Sequence, residues 1–156
     1  MRVSICAVGR CRTGPEKALL DDYATRFDRT GRALGLGPLS ITEVEDRKGG
    51  GMAGEAALLS RALPDKAHVI ALDERGKLMT SPAFAELIAR LRDDGTSDLA
   101  FVIGGADGIA PDLRARTDGA LSFGKMVWPH MLARVMLTEQ LYRAASILAG
   151  SPYHRA

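Results

Sequence analysis

Five short runs of apolar, β-favouring residues, each followed by a glycine or polar break and then by a helical pattern, constrain this chain more than any other feature. Val3–Val8 ends in Gly9, and a helix opens at Gly14-Pro15-Glu16 with Ala18, Leu19, Tyr23 and Phe27 at helical spacing. Gly35-Leu36-Gly37-Pro38 breaks it before a second strand, Leu39–Val44. The glycine-rich stretch Lys48–Gly51 leads to a short helix, Glu55–Leu63, stopped at Pro64. His68–Asp73 is a third strand, apolar enough to be covered on both faces. Thr80-Ser81-Pro82 then supplies a hydroxyl cap and a first-turn proline for a helix whose buried stripe is Phe84, Leu87, Ile88 and Leu91. Leu99–Ile103 runs straight into Gly104–Gly108, a short helix spans Pro111 to Gly119, and Ala120–Phe123 is the fifth strand. The last helix covers Pro129 to Ala149. This alternation, without linkers, specifies one α/β domain over residues 1–156, a mostly parallel sheet flanked by helices. At 156 residues such a domain buries about 70% of its unfolded surface and needs neither disulfides nor metals.

Parallel sheets bind ligands beyond the carboxyl ends of their strands. Three of those ends are chemically unusual: Leu72-Asp73-Glu74-Arg75-Gly76, Ile103–Gly108, and Phe123-Gly124-Lys125-Met126-Val127-Trp128-Pro129-His130. Their glycines let a ligand approach backbone N–H and C=O groups. Gly104–Gly108 reads GGxxG, which is not the GxGxxG dinucleotide fingerprint, and no GxxxxGK[ST], HExxH or GxSxG occurs. Asp73 and Asp107 are an acid–base option, although aspartates at strand ends commonly cap turns. The loops therefore specify a small-molecule pocket of backbone and aliphatic groups.

Cys6 and Cys11 are spaced for neither a CxxC redox pair nor a zinc knuckle, and no metal site is expected. The first residues lack a signal-peptide pattern, and no apolar run is long enough to span a membrane, so a reducing, aqueous, cytoplasmic setting is expected. The formal net charge is only +2, which excludes a heavily basic nucleic-acid coat. From Gly119 onward, however, Lys125, Arg134, Arg143 and Arg155 stand against Glu139 alone, a local +3. Trp128, Tyr153, His130 and His154 lie among them, the mixture of cations and stackable rings that RNA recognition uses. Arg143 could equally pair with Glu139 one helical turn earlier.

Leu72-Asp73-Glu74-Arg75-Gly76-Lys77, Phe101–Gly108, Trp128-Pro129-His130 with Arg134-Val135, Glu139–Ala144 and Pro152-Tyr153-His154-Arg155 occur in that order. This series resembles the ribosomal RNA large-subunit methyltransferase H family of the SPOUT superfamily. The likeness covers the whole chain and is dense after Leu72. It implies an α/β fold with a deep C-terminal trefoil knot, a homodimer, and S-adenosylmethionine bound in the knot. The substrate it implies is N3 of a pseudouridine in large-subunit ribosomal RNA of the assembled ribosome. Its cofactor contacts carry over onto Leu72, onto Gly104 or Gly105, and onto Gly124, Lys125, Met126, Val127, Trp128 and Pro129. Gly124–Trp128 departs from the family's pattern, so the contacts expected there are those of the backbone.

Methyl transfer needs positioning rather than a covalent nucleophile, in keeping with a chain without a catalytic triad. The N3–H is a weak acid and needs a base. His130 is the candidate, with Arg143, Tyr153 and Arg155 for contacts to the base and phosphate, reaching a partner subunit's cofactor. The apolar residues of the last helix (Leu132, Val135, Met136, Leu137, Leu141, Ala145 and Leu148) spread too widely for one stripe, as a helix facing both a core and a partner would require. Two other readings stay open: a non-catalytic RNA-binding assembly factor, and another doubly wound enzyme using Asp73 and Asp107.

Overall fold

The computed structural model describes residues 1–155; Ala156, the last residue of the expected domain, lies outside them. Five strands form one sheet: β1 (Arg2–Val8), β2 (Leu39–Val44), β3 (His68–Leu78), β4 (Asp98–Ile103) and β5 (Gly119–Ser122). Their order is β2-β1-β4-β3-β5, and every pair is parallel. The helices between them are α1 (Pro15–Gly31), α2 (Gly51–Ala62), α3 (Ser81–Asp93), α4 (Pro111–Ala115) and α5 (His130–Leu148), with a 3-10 turn at Arg32–Leu34.

Strand alternation sorts the core into two sides. Val3, Ile5 and Ala7 of β1, with Leu99, Phe101 and Ile103 of β4, pack beneath α1, α3 and α5 through Phe27, Phe84, Ile88 and Leu141. Cys6 and Val8, with Ala100 and Val102, face Leu59 of α2 and Leu113 of α4. Both faces of β4 are therefore covered, and all six of its residues are buried. Thr80 caps α3 as expected, its hydroxyl accepting from the Ala83 N–H at 3.2 Å.

Several boundaries differ from the sequence reading. In α1 Phe27 is buried as expected and Tyr23 half-buried, but it is Leu20 that turns inward with them, while Leu19 is 45% exposed. Leu87 of α3 is only half-buried. β3 continues past Asp73 to Leu78, because β5 pairs with Leu72 and then, after a register slip, with Lys77 and Leu78. β5 stops at Ser122, one residue before Phe123, and α2 starts at Gly51 rather than Glu55.

Candidate active site

Because the strands are parallel, their carboxyl ends share one edge, and β4, β3 and β5 are adjacent there. The three loops singled out above line a single cleft of about 390 Å³. Leu72–Arg75 supply one side, Ile103–Gly108 the floor, and Phe123, Gly124, Met126, Val127, Trp128 and His130 the other side. Of the expected cofactor residues only Lys125 and Pro129 do not line it. The floor is closed tightly: the Gly108 N–H donates to the Gly105 carbonyl at 3.0 Å. A Cβ on Gly104 would lie 2.6 Å from the Gly108 carbonyl carbon and oxygen, so only glycine fits. Lys125–Pro129 is exposed throughout, with Val127 at 83%.

The charges around the cleft divide by partner. Asp73 is committed: it accepts from the Arg75 N–H at 2.9 Å and its guanidinium at 3.1 Å, and pairs with Arg114 at 3.5 Å. A carboxylate so held is an anchor for the β3 turn, and the acid–base role considered for it gains no support. Asp107 is exposed on the floor loop. Behind that loop stands Glu55 of α2, a residue the sequence reading passed over. Its Oε2 lies 2.7 Å from where a Gly105 Cβ would be. Burial, then the nearby Asp107 and Asp46 carboxylates, raise its pKa, and His130 opposes them. Only the approach of α2 to the β4 loop creates this environment, and no sequence spacing signals it.

His130 opens α5 and lies in the cleft. Arg143, Tyr153 and Arg155 do not. Thirteen residues separate His130 from Arg143 along one helix, about 20 Å at 1.5 Å per residue. At that far end the chain folds back on α5. Glu139 Oε1 accepts from Arg143 Nε and Nη2 at 3.0 and 2.7 Å and from the Tyr153 hydroxyl at 3.0 Å. Arg143 also reaches His154 Nδ1 at 3.3 Å and stacks 4.9 Å from the Tyr153 ring centre. Burial, then the Glu139 hydrogen bond, holds the Tyr153 phenol protonated far above its usual range. Arg155 is exposed. The local +3 is thereby reduced: Arg134 is buried against Glu43, and Arg143 is paired with Glu139.

A second hollow, of about 470 Å³, lies on the helical face between α1, α3 and α5. Phe123 and Gly124 line both hollows, so the loop after β5 is the wall between them. The first has what a ligand with an adenine ring and a sulfonium cation requires: apolar walls (Leu72, Ile103, Phe123, Val127), glycines without side chains to block its approach, and carboxylates nearby. Among the described residues no group of histidine, cysteine or acidic side chains is placed to hold a metal, and no helix is long and apolar enough to cross a membrane.

Comparison with known proteins places this geometry among relatives. A family profile described as "Predicted SPOUT methyltransferase" matches residues 1–154. The chain is 70% identical over 155 residues, 99% of each protein, to the Ribosomal RNA large subunit methyltransferase H of Ruegeria pomeroyi. It is 69% identical over the same length to that of Roseobacter denitrificans, and 61% to that of Cereibacter sphaeroides. A solved structure of the SpoU methyltransferase AviRb from Streptomyces viridochromogenes, in complex with AdoMet, aligns over 96% of this chain and 59% of its own, at 18% identity and a TM-score of 0.43.

Proposed function

Because the chain belongs to the SPOUT methyltransferase family, we propose that it transfers a methyl group from S-adenosylmethionine to large-subunit ribosomal RNA, at N3 of a pseudouridine in the assembled ribosome. The observation that carries this reading is the meeting in one cleft of Leu72, Gly104, Gly105 and Gly124, onto which the family's cofactor contacts carry over, with His130, the candidate base. The deep trefoil knot and the cytoplasmic setting, where ribosomes are found, belong to the same proposal.

S-adenosylmethionine supplies an electrophilic methyl group on a sulfonium. The chain's own residues hold and align. Backbone groups at Gly104, Gly105 and Gly124 take the polar edge of the ligand, and Leu72, Ile103 and Phe123 exclude water. His130 would accept the N3 proton as the methyl carbon passes from sulfur to nitrogen and the cofactor leaves as a neutral thioether, with the Glu55 carboxylate close enough to interact with the imidazole.

The reaction is proposed to run in a homodimer. Leu19, Leu78, Met126, Val127, Trp128 and Leu132 are large apolar side chains left exposed, and they concentrate around the loop after β5 and the helical-face hollow. A second copy covering that face would also bring its own Arg143, Tyr153 and Arg155 within reach of this cleft, which their distance from His130 prevents within one chain.

Calorimetric titration with S-adenosylmethionine, followed by transfer of a labelled methyl group to ribosomes, tests the reading. Saturable binding and one methyl group on a large-subunit pseudouridine are expected, with His130→Ala binding cofactor normally and transferring far more slowly. No binding at millimolar cofactor overturns it. Binding to ribosomes without transfer points instead to an RNA-binding assembly factor.

A further inference from the structure

Arg134 is the bulkiest side chain among those fully buried in the described residues, at 1% exposure. It sits one turn into α5, four residues after His130. Its Nη1 donates to Glu43 Oε2 on β2 at 2.6 Å, and its Nη2 donates to the Val8 and Gly9 carbonyls where β1 ends, at 3.2 and 3.0 Å. Its Nε has no partner. The same Glu43 oxygen accepts the Cys11 N–H at 2.6 Å. One guanidinium thus ties the first turn of α5 to the ends of two strands and to the loop leaving β1.

Packing gives no reason for a charge at this place. Desolvating an arginine while one N–H goes unpaired is destabilising, and apolar replacements of buried ion pairs are often neutral or stabilising. Position does give a reason. Gly9 has φ +93, and a Cβ on it would stand 3.8 Å from His130 Nε2 and 3.5 Å from Met131 Cε. One of the carbonyls gripped by Arg134 therefore belongs to the residue that faces the His130 and Met131 side chains. Met131 packs among Cys11, Leu20 and Val135, but Pro129 provides no side-chain cap and the five residues before His130 are exposed.

We propose that Arg134 is a positioning residue for methyl transfer, fixing His130 and the end of the Phe123–Pro129 loop against β1 at the edge of the cleft. The proposal rests on the reading of that cleft as the methyl-transfer site. Arg134→Met keeps an unbranched side chain and removes the charge, and Arg134→Lys keeps a charge. Four quantities are measured: thermal unfolding, cofactor affinity by calorimetry, single-turnover methyl transfer to ribosomes, and the 15N resonances of the imidazoles, of which the chain has only three.

Arg134→Met is expected to fold and to bind S-adenosylmethionine nearly as wild type, while transferring about a hundredfold more slowly, the loss that a misplacement of about 1 Å brings. The His130 resonances shift, those of His68 stay, and Arg134→Lys recovers part of the rate. Wild-type transfer with an unshifted His130 overturns the proposal. So does a loss of cofactor affinity that matches the loss of rate, since that marks a purely structural role. Should Arg134→Met fail to fold, Arg134→Lys decides: a single ammonium cannot hold Glu43 and both carbonyls in the same geometry, and a folded Arg134→Lys with unchanged rate and unchanged His130 resonances overturns the proposal equally. If wild type itself transfers nothing to ribosomes, the functional reading fails, and the His130 resonances still decide what Arg134 holds.

Discussion

Two adjacent glycines on the cleft floor meet different obstacles. A methyl group on Gly104 strikes the Gly108 backbone at 2.6 Å, and the loop must open to admit it. On Gly105 the obstacle at 2.7 Å is Oε2 of Glu55, the free end of a side chain that can swing away. Gly104→Ala is therefore expected to weaken cofactor binding by about tenfold or more, roughly 1.4 kcal/mol, and Gly105→Ala by much less, as calorimetry will show. Glu55 carries a second prediction. Its folded pKa is raised, so its ionised form opposes folding at neutral pH. Below the ordinary glutamate range, about 4.3, both states are protonated and the cost vanishes. Glu55→Gln should accordingly melt higher than wild type at pH 7, with the difference closing at pH 3 to 4. Cys6 supplies a third: burial pushes its thiol up to about 11, so it should resist alkylation at pH 8 until the protein unfolds. Its burial was legible in the apolar run around it. Glu55 was not legible, because its environment is made by α2 lying over a loop distant in sequence.

Helix signals proved easier to read than strand signals, for physical reasons. α3 carries its own start instruction in Thr80 and Pro82, and Thr80→Ala should cost about 1 kcal/mol in denaturant unfolding. Ser81 adds a tie that no local pattern announces, donating to Gln140 Oε1 of α5 at 2.7 Å. β4 shows no alternation because both of its faces are covered, and its β-favouring residues and the glycines after it marked it as a strand. The extension of β3 to Leu78 depends on pairing with β5 after a slipped register, a non-local event hidden behind charged residues. In α5 the wide apolar spread has two sources. Val135, Leu137, Leu141 and Ala145 are buried within this chain, whereas Leu132 is exposed and Met136 lines the helical-face hollow. The same helix hides a charge, Arg134, that the sequence presented as part of a basic face.

For the whole molecule, the near-neutral charge is distributed by pairing rather than by a basic surface. Two of the four cations after Gly119 are neutralised within the chain, so under the proposed function the grip on RNA would fall to exposed groups such as Lys125 and Arg155, and to whatever a second subunit adds. The proposed dimer can be addressed through its apolar face: Leu132→Asp should shift sedimentation toward monomer and abolish methyl transfer while leaving the monomer folded. The cleft was legible from loop composition because parallel strands must end on one edge. The separation of His130 from Arg143 was implied as well, since both fall on the helix expected from Pro129 to Ala149, whereas the return of Tyr153 onto Glu139 was not, because it depends on how the chain folds back after that helix. That placement has a genetic corollary. If each α5 offers its first turn to one cleft and its last turn to the neighbouring one, two dead proteins can make a living one. Mixed with His130→Ala chains, Tyr153→Ala chains would form heterodimers with one cleft complete and the other doubly damaged, and co-expression of the two would restore methylation that neither achieves alone.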